Sequence, residues 1–443
     1  MHTGFYGQTF ECDCGRTHAI TPAEILYADD ALRRLPEVCR RAVGASPGGG
    51  PRRSAAVVAD ARTRAVAGAA AAEALRSDGW DVAEVLVPDP VPGRDPVCDE
   101  HTMRFVLERV AGRSLVLPVG SGVVNDLGKW TAHLAGAAYV SFATAASMNG
   151  YTSANVAAKV AGVKTLVEAR PPHAVLTSPS LIAGAPNEMI TAGLGDVLAK
   201  SVSSADWKMN ELLFGDYYCP RSVGLIAEIE PLYLDGGGAI AAREPRAVEA
   251  LYDALLLTGA AMTMAGSSAP ASGGEHMISH SLDMLSDIDG RPHDLHGRQV
   301  GVGTILMAEL YRRVLEVENP KPRVEDVRID EAYWGPLAGA VAGHYAKKVE
   351  RLHVAADALK RPGKWDELRR AVAPMLRTPE RLRGCLQAAG GATTAAAIGA
   401  DAPRLLGVLL HAHEIRGRFT ILDLARLLGI LPAAAGEVAA EAE

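Results

Sequence analysis

The sequence predicts an N-terminal α/β domain with a parallel sheet, followed by an all-α C-terminal domain. Three observations predict this. Strand-length apolar segments alternate with helical segments over residues 54–144, a glycine-rich turn follows the third apolar segment, and the strand pattern fades after about residue 186. A chain of 443 residues is too long for one compact core, so two domains are expected. We predict the boundary between residues 185 and 186.

The predicted sheet is formed by short, almost continuously apolar segments. Strands are predicted at residues 54–60, 81–87, 114–120 and 138–144, with edge strands at 164–167 and 174–176. The helices between them are predicted at residues 63–77, 101–110 and 126–134. Apolar strands separated by helices are typical of a parallel sheet that is covered on both faces. Ligands of such sheets bind beyond the carboxyl ends of the strands.

The second half of the chain carries helical patterns. They cover residues 187–214, 247–265, 300–317, 334–352, 365–375, 401–410 and 420–428. The last of these begins with a capping threonine and has an apolar stripe, which is typical of an amphipathic helix. We therefore expect residues 186–443 to form a helical domain.

A glycine-rich segment, residues 118–126, joins the third predicted strand to the next helix. Gly120 and Gly122 would let the backbone approach a phosphate closely, and the helix that follows offers its N–H groups and the positive end of its dipole. Asp126 would cap that helix. Turns of this kind are common, so the segment alone does not distinguish a dinucleotide site from a plain turn.

Asp60 ends the first predicted strand, where an acidic side chain often meets the ribose of a dinucleotide. Such a contact would favour NAD over NADP, because the carboxylate would repel a 2′-phosphate. A cap on the next helix is an equally good interpretation of the same residue.

Composition excludes several classes of protein. The net charge of −7 and pI near 6.0 argue against a nucleic-acid-binding surface. The N-terminus lacks a basic stretch followed by an apolar run, and the apolar stretches are too short or too interrupted to span a membrane. The six cysteines have no framework spacing, which favours reduced thiols in a cytoplasmic protein.

Cys12, Cys14 and His18 form a Cys-x-Cys motif with a nearby histidine. The motif could bind a metal ion. It lacks the second pair of ligands that a structural zinc site needs, so a short strand and turn is the favoured interpretation.

Candidate metal ligands lie in three stretches of the helical half. Asp196 follows Gly195, His276 follows Glu275, and His296 precedes Gly297, while His280 lies one helical turn beyond His276. Two imidazoles and a carboxylate suit a divalent transition metal, and three protein ligands leave a position open for substrate. Histidines are more often structural, so spacing alone does not establish the site.

In these residues the chain resembles the sn-glycerol-1-phosphate dehydrogenases, within the superfamily of iron-containing alcohol dehydrogenases, glycerol dehydrogenase and dehydroquinate synthase. The resemblance runs over nearly the whole chain, and the early Cys-x-Cys-Gly and residues 415–420 are similar to the bacterial branch. The matching segments are residues 120–126, 144–153, 193–200, 206–207, 266–280 and 295–303. The resemblance implies a Rossmann-like first domain followed by a helical one, as in dehydroquinate synthase.

The resemblance also implies roles for individual residues. Asp196, His276 and His296 would ligate the metal, and Asn149, Asp196 and His280 would face the substrate as catalytic residues. Contacts with NAD or NADP are implied for Gly122, Val123, Val124, Asn125, Asp126, Thr144, Ala145, Ser147 and Ser153.

The chain departs from the family pattern at three positions. Asn149 stands where the family usually has aspartate, which removes a negative charge and a group that can take up a proton. Ala269 stands where a basic residue is frequent, and Arg298 where glutamate is usual. Because of these departures, the substrate could be a relative of glycerol phosphate and not that compound itself.

The predicted function is metal-dependent, NAD(P)-linked interconversion of dihydroxyacetone phosphate, or a related ketone phosphate, with sn-glycerol 1-phosphate or a related polyol phosphate. The first alternative is a non-redox sugar-phosphate cyclase that uses NAD transiently. Such enzymes typically carry glutamate as the carboxylate ligand, so Asp196 favours the dehydrogenase. The second is a binding or regulatory protein, for which Asn149 is the only support.

The sequence also gives expectations for the metal ion, the binding partner and the oligomeric state. The ligand set accepts Zn²⁺, the expected ion, and also Ni²⁺ or Fe²⁺. The partner is a small phosphorylated substrate, and a homodimer is expected from base rates. Lys200, one turn after Asp196, is a candidate phosphate ligand.

Overall fold

The computed structural model describes residues 1–45, 53–91, 93–325 and 327–442. The chain divides into two compact units. The first comprises Met1–Ile190 and Arg243–Gly266, and the second comprises Thr191–Ala242 and Ser267–Glu443. The separate roles that the sequence assigns to residues 1–185 and 186–443 stay predictions.

The strands lie in the first unit. In chain order they are β1 (Thr9–Glu11), β2 (Thr17–Ala19), β3 (Glu24–Tyr27), β4 (Ser54–Ala59), β5 (Asp81–Leu86), β6 (Leu115–Gly120), β7 (Ala138–Ala143), β8 (Asn155–Val160), β9 (Val163–Glu168) and β10 (Ala174–Thr177). Six of them form a parallel sheet in the order β3-β10-β7-β6-β4-β5. The pairs β1-β2 and β8-β9 form two separate antiparallel sheets.

The α-helices are numbered in chain order. The first group is α1 (Ala31–Gly44), α2 (Ala61–Thr63), α3 (Ala69–Ser77), α4 (Glu100–Val110), α5 (Gly122–Ala135), α6 (Pro179–Gly184), α7 (Asn187–Leu198), α8 (Lys200–Phe214), α9 (Pro220–Gly224), α10 (Glu230–Leu234) and α11 (Gly237–Ala241). The second group is α12 (Pro245–Ala265), α13 (Gly274–Asp289), α14 (His296–Leu315), α15 (Glu331–Trp334), α16 (Ala338–Leu359), α17 (Lys364–Val372), α18 (Pro379–Ala388), α19 (Ala402–His411), α20 (Ile421–Leu427) and α21 (Ala435–Ala440).

The predicted fold class is confirmed. The four main predicted strands match β4, β5, β6 and β7 to within one residue at each end, and the edge strand at 174–176 is β10. Two details were wrong. Residues 164–167 lie in β9, which pairs with β8 outside the parallel sheet, and β3 was not foreseen. Only Ile25 and Leu26 are buried in β3, so the strand gives no clear apolar pattern and is identified by its pairing with β10.

Both faces of the central strands β4, β6 and β7 are buried, as an apolar strand pattern requires. Leu115 and Leu117 of β6 pack in one cluster with Leu35 of α1. Val116 packs on the opposite face with Val106 of α4 and with residues of α5. Successive side chains of a strand point to opposite faces, so α1 and α3 cover one side of β6 while α4 and α5 cover the other.

Helix α12 belongs to the first unit although it follows β10 by almost seventy residues. The Thr152 hydroxyl donates a hydrogen bond to the Leu256 carbonyl at 2.6 Å. A Cβ at Gly259 would lie 2.5 Å from the Asn149 carbonyl oxygen, so glycine permits the close approach of α12 to this loop. The helix thereby supports the backbone of residues 149–153.

Among the described residues, α12 alone is long and apolar enough to cross a membrane by length and composition. Its mean hydropathy over the relevant window is 1.2, and 89% of that window is buried within the protein. These values are typical of a core helix, so no membrane span is indicated.

Candidate active site

Three candidate metal ligands come from three helices of the second unit. Asp196 lies in the last turn of α7, His276 in the first turn of α13, and His296 opens α14. Helices α7 and α14 approach closely because glycines face each other: a Cβ at Gly195 would lie 3.1 Å from the Gly301 Cα atom. This contact brings Asp196 and His296 together across a hundred residues of sequence.

The side chains of Asp196, His276 and His296 converge. One ligand atom from each lies within 4.8 Å of the other two. The His276 Nε2 atom is 3.5 Å from the Asp196 Oδ1 atom, and the rings of His276 and His296 are 5.1 Å apart between centroids. Ligand atoms bound about 2.0–2.2 Å from one zinc ion are roughly 3–4 Å apart. The cluster therefore has the donor types and approximate separations that a divalent ion requires.

Neighbouring side chains determine which nitrogen of His276 carries a proton. Its Nδ1 atom is 2.8 Å from the buried Glu275 carboxylate, which also accepts a hydrogen bond from the Gly273 N–H at 2.7 Å. Because a carboxylate can only accept, Nδ1 of His276 is the donor, and Nε2 is directed to Asp196. This is the arrangement that orients metal-binding histidines in proteins.

The proton of His296 is assigned in the same way. The Ser279 hydroxyl donates to the Gln299 Oε1 atom at 2.8 Å and is 2.9 Å from the His296 Nδ1 atom. Since its one proton is directed to Gln299, Ser279 accepts from Nδ1–H of His296. The Nε2 atom of His296 is left with a lone pair that can bind a cation.

Electrostatics favour a positive charge at this cluster. Burial lowers the pKa of His276, but its hydrogen bonds with Asp196 and Glu275 prevail and raise it to about 9. Without a metal ion, His276 is therefore an imidazolium between two carboxylates at neutral pH. A divalent cation could take the place of the Nε2 proton.

A third buried carboxylate, Asp206, binds the start of α13. It accepts hydrogen bonds from the Gly274 N–H at 2.9 Å and the Tyr311 hydroxyl at 2.6 Å. Burial, followed by the negative charge of Glu275, raises the pKa of Asp206 to about 8. The side chain of Asp206 thus positions the helix that carries His276.

His280 lies beside the cluster and has a basic neighbour. Its ring stacks on that of His296, with centroids 5.4 Å apart and planes 16° apart. The Arg416 guanidinium is 3.2 Å from the His280 Nδ1 atom. Since a guanidinium can only donate, Nδ1 of His280 accepts and Nε2 carries the proton. Burial, followed by the charge of Arg418, lowers the pKa of Arg416 to about 10.

The predicted nucleotide loop forms in the first unit, between β6 and α5. A Cβ at Gly120 would lie 2.7 Å from the Val124 Cβ atom, so the turn requires glycine there, whereas a Cβ at Gly122 would meet nothing within 4 Å. The Asn125 Oδ1 atom accepts hydrogen bonds from the Tyr139 and Ser141 hydroxyls at 2.6 and 2.8 Å. The side chain of Asn125 therefore anchors the helix on β7, and the open side of the turn is at Gly122.

Asp126 and Ser153 are connected by Lys129, a fully buried lysine. The Lys129 ammonium donates to the Gly150 carbonyl at 2.6 Å and to the Ser153 hydroxyl at 3.2 Å, and it lies 3.6 Å from the Asp126 carboxylate. Burial lowers the pKa of Lys129 and raises that of Asp126. The lysine ties the loop at residues 150–153 to α5.

Other predicted cofactor and substrate residues lie on the loop after β7. The Thr144 N–H donates to the Gly120 carbonyl at 3.1 Å, and the Ala145 carbonyl accepts from the Tyr151 hydroxyl at 2.7 Å. Ser147 is half-buried on the same loop, and Asn149 is buried at the start of the turn Gly150–Thr152. The structure thus brings the two predicted cofactor segments together at the carboxyl ends of β6 and β7.

Asp60 caps a helix, as one of its two interpretations predicts. Its Oδ1 atom accepts from the Thr63 N–H at 2.7 Å, which completes a capping box. The Oδ2 atom is 3.0 Å from the Arg62 guanidinium, which also binds Asp89 at 2.7 Å. Arg62 therefore compensates the negative charge that was expected to exclude a 2′-phosphate.

The sequence of this chain is similar to those of known dehydrogenases. A model of the iron-containing alcohol dehydrogenases matches residues 27–186. The glycerol-1-phosphate dehydrogenase [NAD(P)+] of Geobacillus thermodenitrificans is 30% identical over 83% of this chain and 85% of its own length. That of Pyrococcus furiosus is 33% identical over 66% of this chain and 79% of its own.

The chain belongs to the glycerol-1-phosphate dehydrogenase family. It is an NAD(P)-dependent oxidoreductase, as predicted, and the cyclase alternative is not favoured. Among solved structures, the alcohol dehydrogenase from Oenococcus oeni superimposes with a TM-score of 0.61 at 13% identity, over 96% of this chain and 99% of that one. This likeness supports the fold.

One departure from the family pattern, Arg298, has a local explanation. Arg298, beside His296, donates to the Asp294 carboxylate and to the Ala397 carbonyl, each at 2.7 Å. Its charge is therefore balanced locally. Ala269 is buried, and nothing in the structure explains why it replaces a basic residue. The Lys200 ammonium is buried 3.3 Å from the Ser222 carbonyl.

Sequence reasoning missed four neighbours of the cluster: Glu275, Ser279, Gln299 and Arg416. Glu275 and Ser279 lie within matched segments, and the requirement that a metal-binding histidine has its other nitrogen satisfied could have identified them. Arg416 lies 136 residues from His280. No spacing rule links such a pair, so only the packing of the chain identifies it.

Proposed function

We propose that this chain interconverts dihydroxyacetone phosphate, or a closely related ketone phosphate, and sn-glycerol 1-phosphate. In the reducing direction, the ketone, one proton and NADH or NADPH yield the alcohol and the oxidised cofactor. The observation that carries the proposal is the convergence of Asp196, His276 and His296, with both imidazoles held by acceptors at Nδ1. The substrate is inferred from the relatives, which are glycerol-1-phosphate dehydrogenases.

Asp196, His276 and His296 would hold one divalent cation. Their two nitrogen donors and one carboxylate oxygen fit Zn²⁺, which we propose, and Ni²⁺ or Fe²⁺ as alternatives. Such an ion, when bound, supplies a Lewis acid for the substrate oxygen. The protein contributes the orientation of the donors, through Glu275 for His276 and Ser279 for His296.

Arg416 and Arg418 are the proposed phosphate-binding residues, in place of the basic residue that Ala269 lacks. Both side chains are partly buried, and the charge of Arg418 lowers the pKa of Arg416, so the two cations repel each other. A substrate phosphate between them would relieve that repulsion. Arg418 also donates to the Ser268 hydroxyl at 3.0 Å and so is held beside the start of α13.

His280 is the proposed proton-transfer residue. Its Nε2–H can donate a proton to the substrate oxygen as the ketone is reduced, and Nδ1 must then take up a proton from water to complete the relay. Arg416 occupies that position. We propose that a substrate phosphate draws Arg416 away from His280, so that the relay operates only when a phosphorylated substrate is bound.

The cofactor would lie on the glycine-rich turn after β6. Gly120 permits the turn, and Gly122 exposes the first N–H groups of α5 to a pyrophosphate. Asp60 would accept from a ribose hydroxyl, and Arg62 would accommodate a 2′-phosphate, so we propose that both NAD and NADP are used. Asn149 would donate a hydrogen bond to a substrate hydroxyl.

The direct test uses the purified full chain with dihydroxyacetone phosphate and either nicotinamide cofactor, after loading with Zn²⁺, Ni²⁺ or Fe²⁺. We expect a steady loss of reduced-cofactor absorbance and a product that is exclusively the sn-1 enantiomer. The His276→Ala variant should lose the metal ion held by Asp196, His276 and His296, and with it turnover. Equal turnover by the metal-stripped protein would contradict the proposal.

The phosphate assignment is tested by comparing dihydroxyacetone phosphate with unphosphorylated dihydroxyacetone. Arg416→Gln removes a charged hydrogen-bond donor worth about 1.5–3 kcal/mol. The ratio of kcat/KM between the two substrates should therefore fall roughly 10- to 100-fold. Arg298→Gln is the matched control, and its ratio should not change. A parallel loss on both substrates would contradict phosphate binding by Arg416.

We also propose a homodimer and a cytoplasmic location, as expected from the sequence. Light scattering of the purified protein and fractionation of the source cells would measure these two properties.

A further inference from the structure

The N-terminal hairpin carries a second cluster of side chains that could ligate a metal ion, apart from the proposed catalytic set. Cys12 follows β1, Cys14 lies in the turn, and His18 is the central residue of β2. One ligand atom from each lies within 4.8 Å of the other two, and the Cys14 Sγ atom is 3.2 Å from the His18 Nε2 atom. The sequence alone favoured a plain strand and turn here.

The turn has the geometry that brings the three side chains together. Strands β1 and β2 are antiparallel, with Phe10 opposite His18, and the Cys12 N–H donates to the Arg16 carbonyl at 3.1 Å. Gly15 has a φ of +81°, in the left-handed region that glycine adopts without strain. This conformation turns the chain directly after Cys14 and returns His18 to the side of the two thiols.

The separations match those of a structural zinc site. Sulfur and nitrogen ligands bound at about 2.3 and 2.0–2.1 Å in a tetrahedron lie roughly 3.5–3.8 Å apart. The Cys14–His18 distance is close to that range. His18 is almost fully buried, while Cys12 and Cys14 are partly exposed, so an ion can reach the thiols from solvent.

The two strands of the hairpin are short and bury few of their own side chains. Each strand is three residues long, and only one of those six residues, His18, is buried. An isolated two-stranded hairpin is marginally stable at best in water. A metal ion held by both arms of a hairpin contributes its binding free energy to the folded state.

We propose that Cys12, Cys14 and His18 bind a structural zinc ion, separate from the catalytic ion and without a role in the redox reaction. Zinc in structural sites has four ligands, so water or a further thiolate completes the set. The two thiols lose their protons on binding. The protein would then hold two metal ions per chain, of which only one has sulfur ligands.

The ligand type makes the test independent of the proposed function. Asp196, His276 and His296 contain no sulfur, so zinc–sulfur scattering reports the hairpin site alone. X-ray absorption at the zinc edge is measured on the full chain purified under reducing conditions, and on its His276→Ala and His296→Ala double variant. We expect at least two sulfur neighbours at about 2.3 Å in the double variant, which retains one zinc per chain.

Substitutions locate the site. Cys14→Ser and His18→Asn should each remove one zinc per chain by elemental analysis and lower the melting temperature, while Cys39→Ala, a control at a buried cysteine in α1, should keep both ions. Zinc without sulfur neighbours in the double variant, or unchanged zinc content in Cys14→Ser, would overturn the proposal. If the substituted hairpins do not fold, the absorption spectrum of the unsubstituted chain still decides.

Discussion

Substitution of Glu275 by glutamine tests the proposed metal centre at a residue that is not itself a ligand. Glutamine keeps an oxygen that can accept from the His276 Nδ1–H but removes the buried negative charge. A carboxylate partner makes imidazole a stronger metal ligand, and loss of such a partner lowers metal affinity about 10- to 100-fold. That range corresponds to about 1.4–2.7 kcal/mol.

The effect of Glu275→Gln should depend on pH, because the proton and the metal compete for His276. Its pKa of about 9 means that the metal must displace a proton below that pH. In the unsubstituted protein, this competition at neutral pH costs about 2.7 kcal/mol, since two pKa units separate pH 7 from the pKa. Removing the Glu275 charge lowers the pKa of His276 and therefore weakens the competition.

Two opposed consequences follow for zinc affinity. Above about pH 9 the proton no longer competes, so the whole loss of ligand strength should appear. Near pH 7 the variant is relieved of proton competition, and the difference from the unsubstituted protein should shrink. Zinc affinity is measured against a chelator of known affinity at both pH values, and proton release is measured by titration calorimetry in two buffers.

The control is Glu309→Gln, a second buried glutamate of the same unit. Glu309 accepts from Arg313 at 2.7 Å on α14. Its substitution should lower the free energy of unfolding but leave zinc affinity unchanged at both pH values. The reasoning is refuted if Glu275→Gln, shown to be folded by circular dichroism, binds zinc above pH 9 as tightly as the unsubstituted chain.

Three further predictions concern the nucleotide turn, the second histidine and a buried lysine. Gly120→Ala should lower the free energy of unfolding by about 1–3 kcal/mol through overpacking, as measured by urea titration. Gly122→Ala should leave the stability of the cofactor-free protein unchanged but weaken NAD binding, as measured by fluorescence titration. Ser279→Ala should weaken zinc binding about 10- to 100-fold because His296 loses its acceptor, and an unchanged affinity would exclude that role. Lys129→Met should cost about 3–5 kcal/mol in urea unfolding, since it leaves a carboxylate and two carbonyls buried without their cation; a loss below about 1 kcal/mol would contradict this account.

Much of the fold could be predicted from the sequence because its signals are local. Nearly continuous apolar runs locate β4, β6 and β7 to within one residue at each end. A strand buried on both faces needs apolar side chains throughout, so burial leaves a direct trace in the sequence. Strand β3 and the pairing of β9 left no comparable trace, since short strands are defined by their partners.

The sequence also identified the three candidate ligands, but through resemblance and not through spacing. Asp196, His276 and His296 lie on three helices, and their convergence depends on helix contacts such as that between Gly195 and Gly301. No period in the sequence encodes a contact between residues a hundred positions apart.

Tertiary structure alone decided the chemistry around those ligands. It placed Glu275 and Ser279 on the outer nitrogens of the histidines, Arg416 against His280, and His18 beside the two early cysteines. The sequence by itself determined the strands, the helices and the donor types, because burial and periodicity act within one element. Which nitrogen carries a proton, and which cation neighbours which ring, depends on how elements distant in the chain pack, and that is determined only by the folded protein.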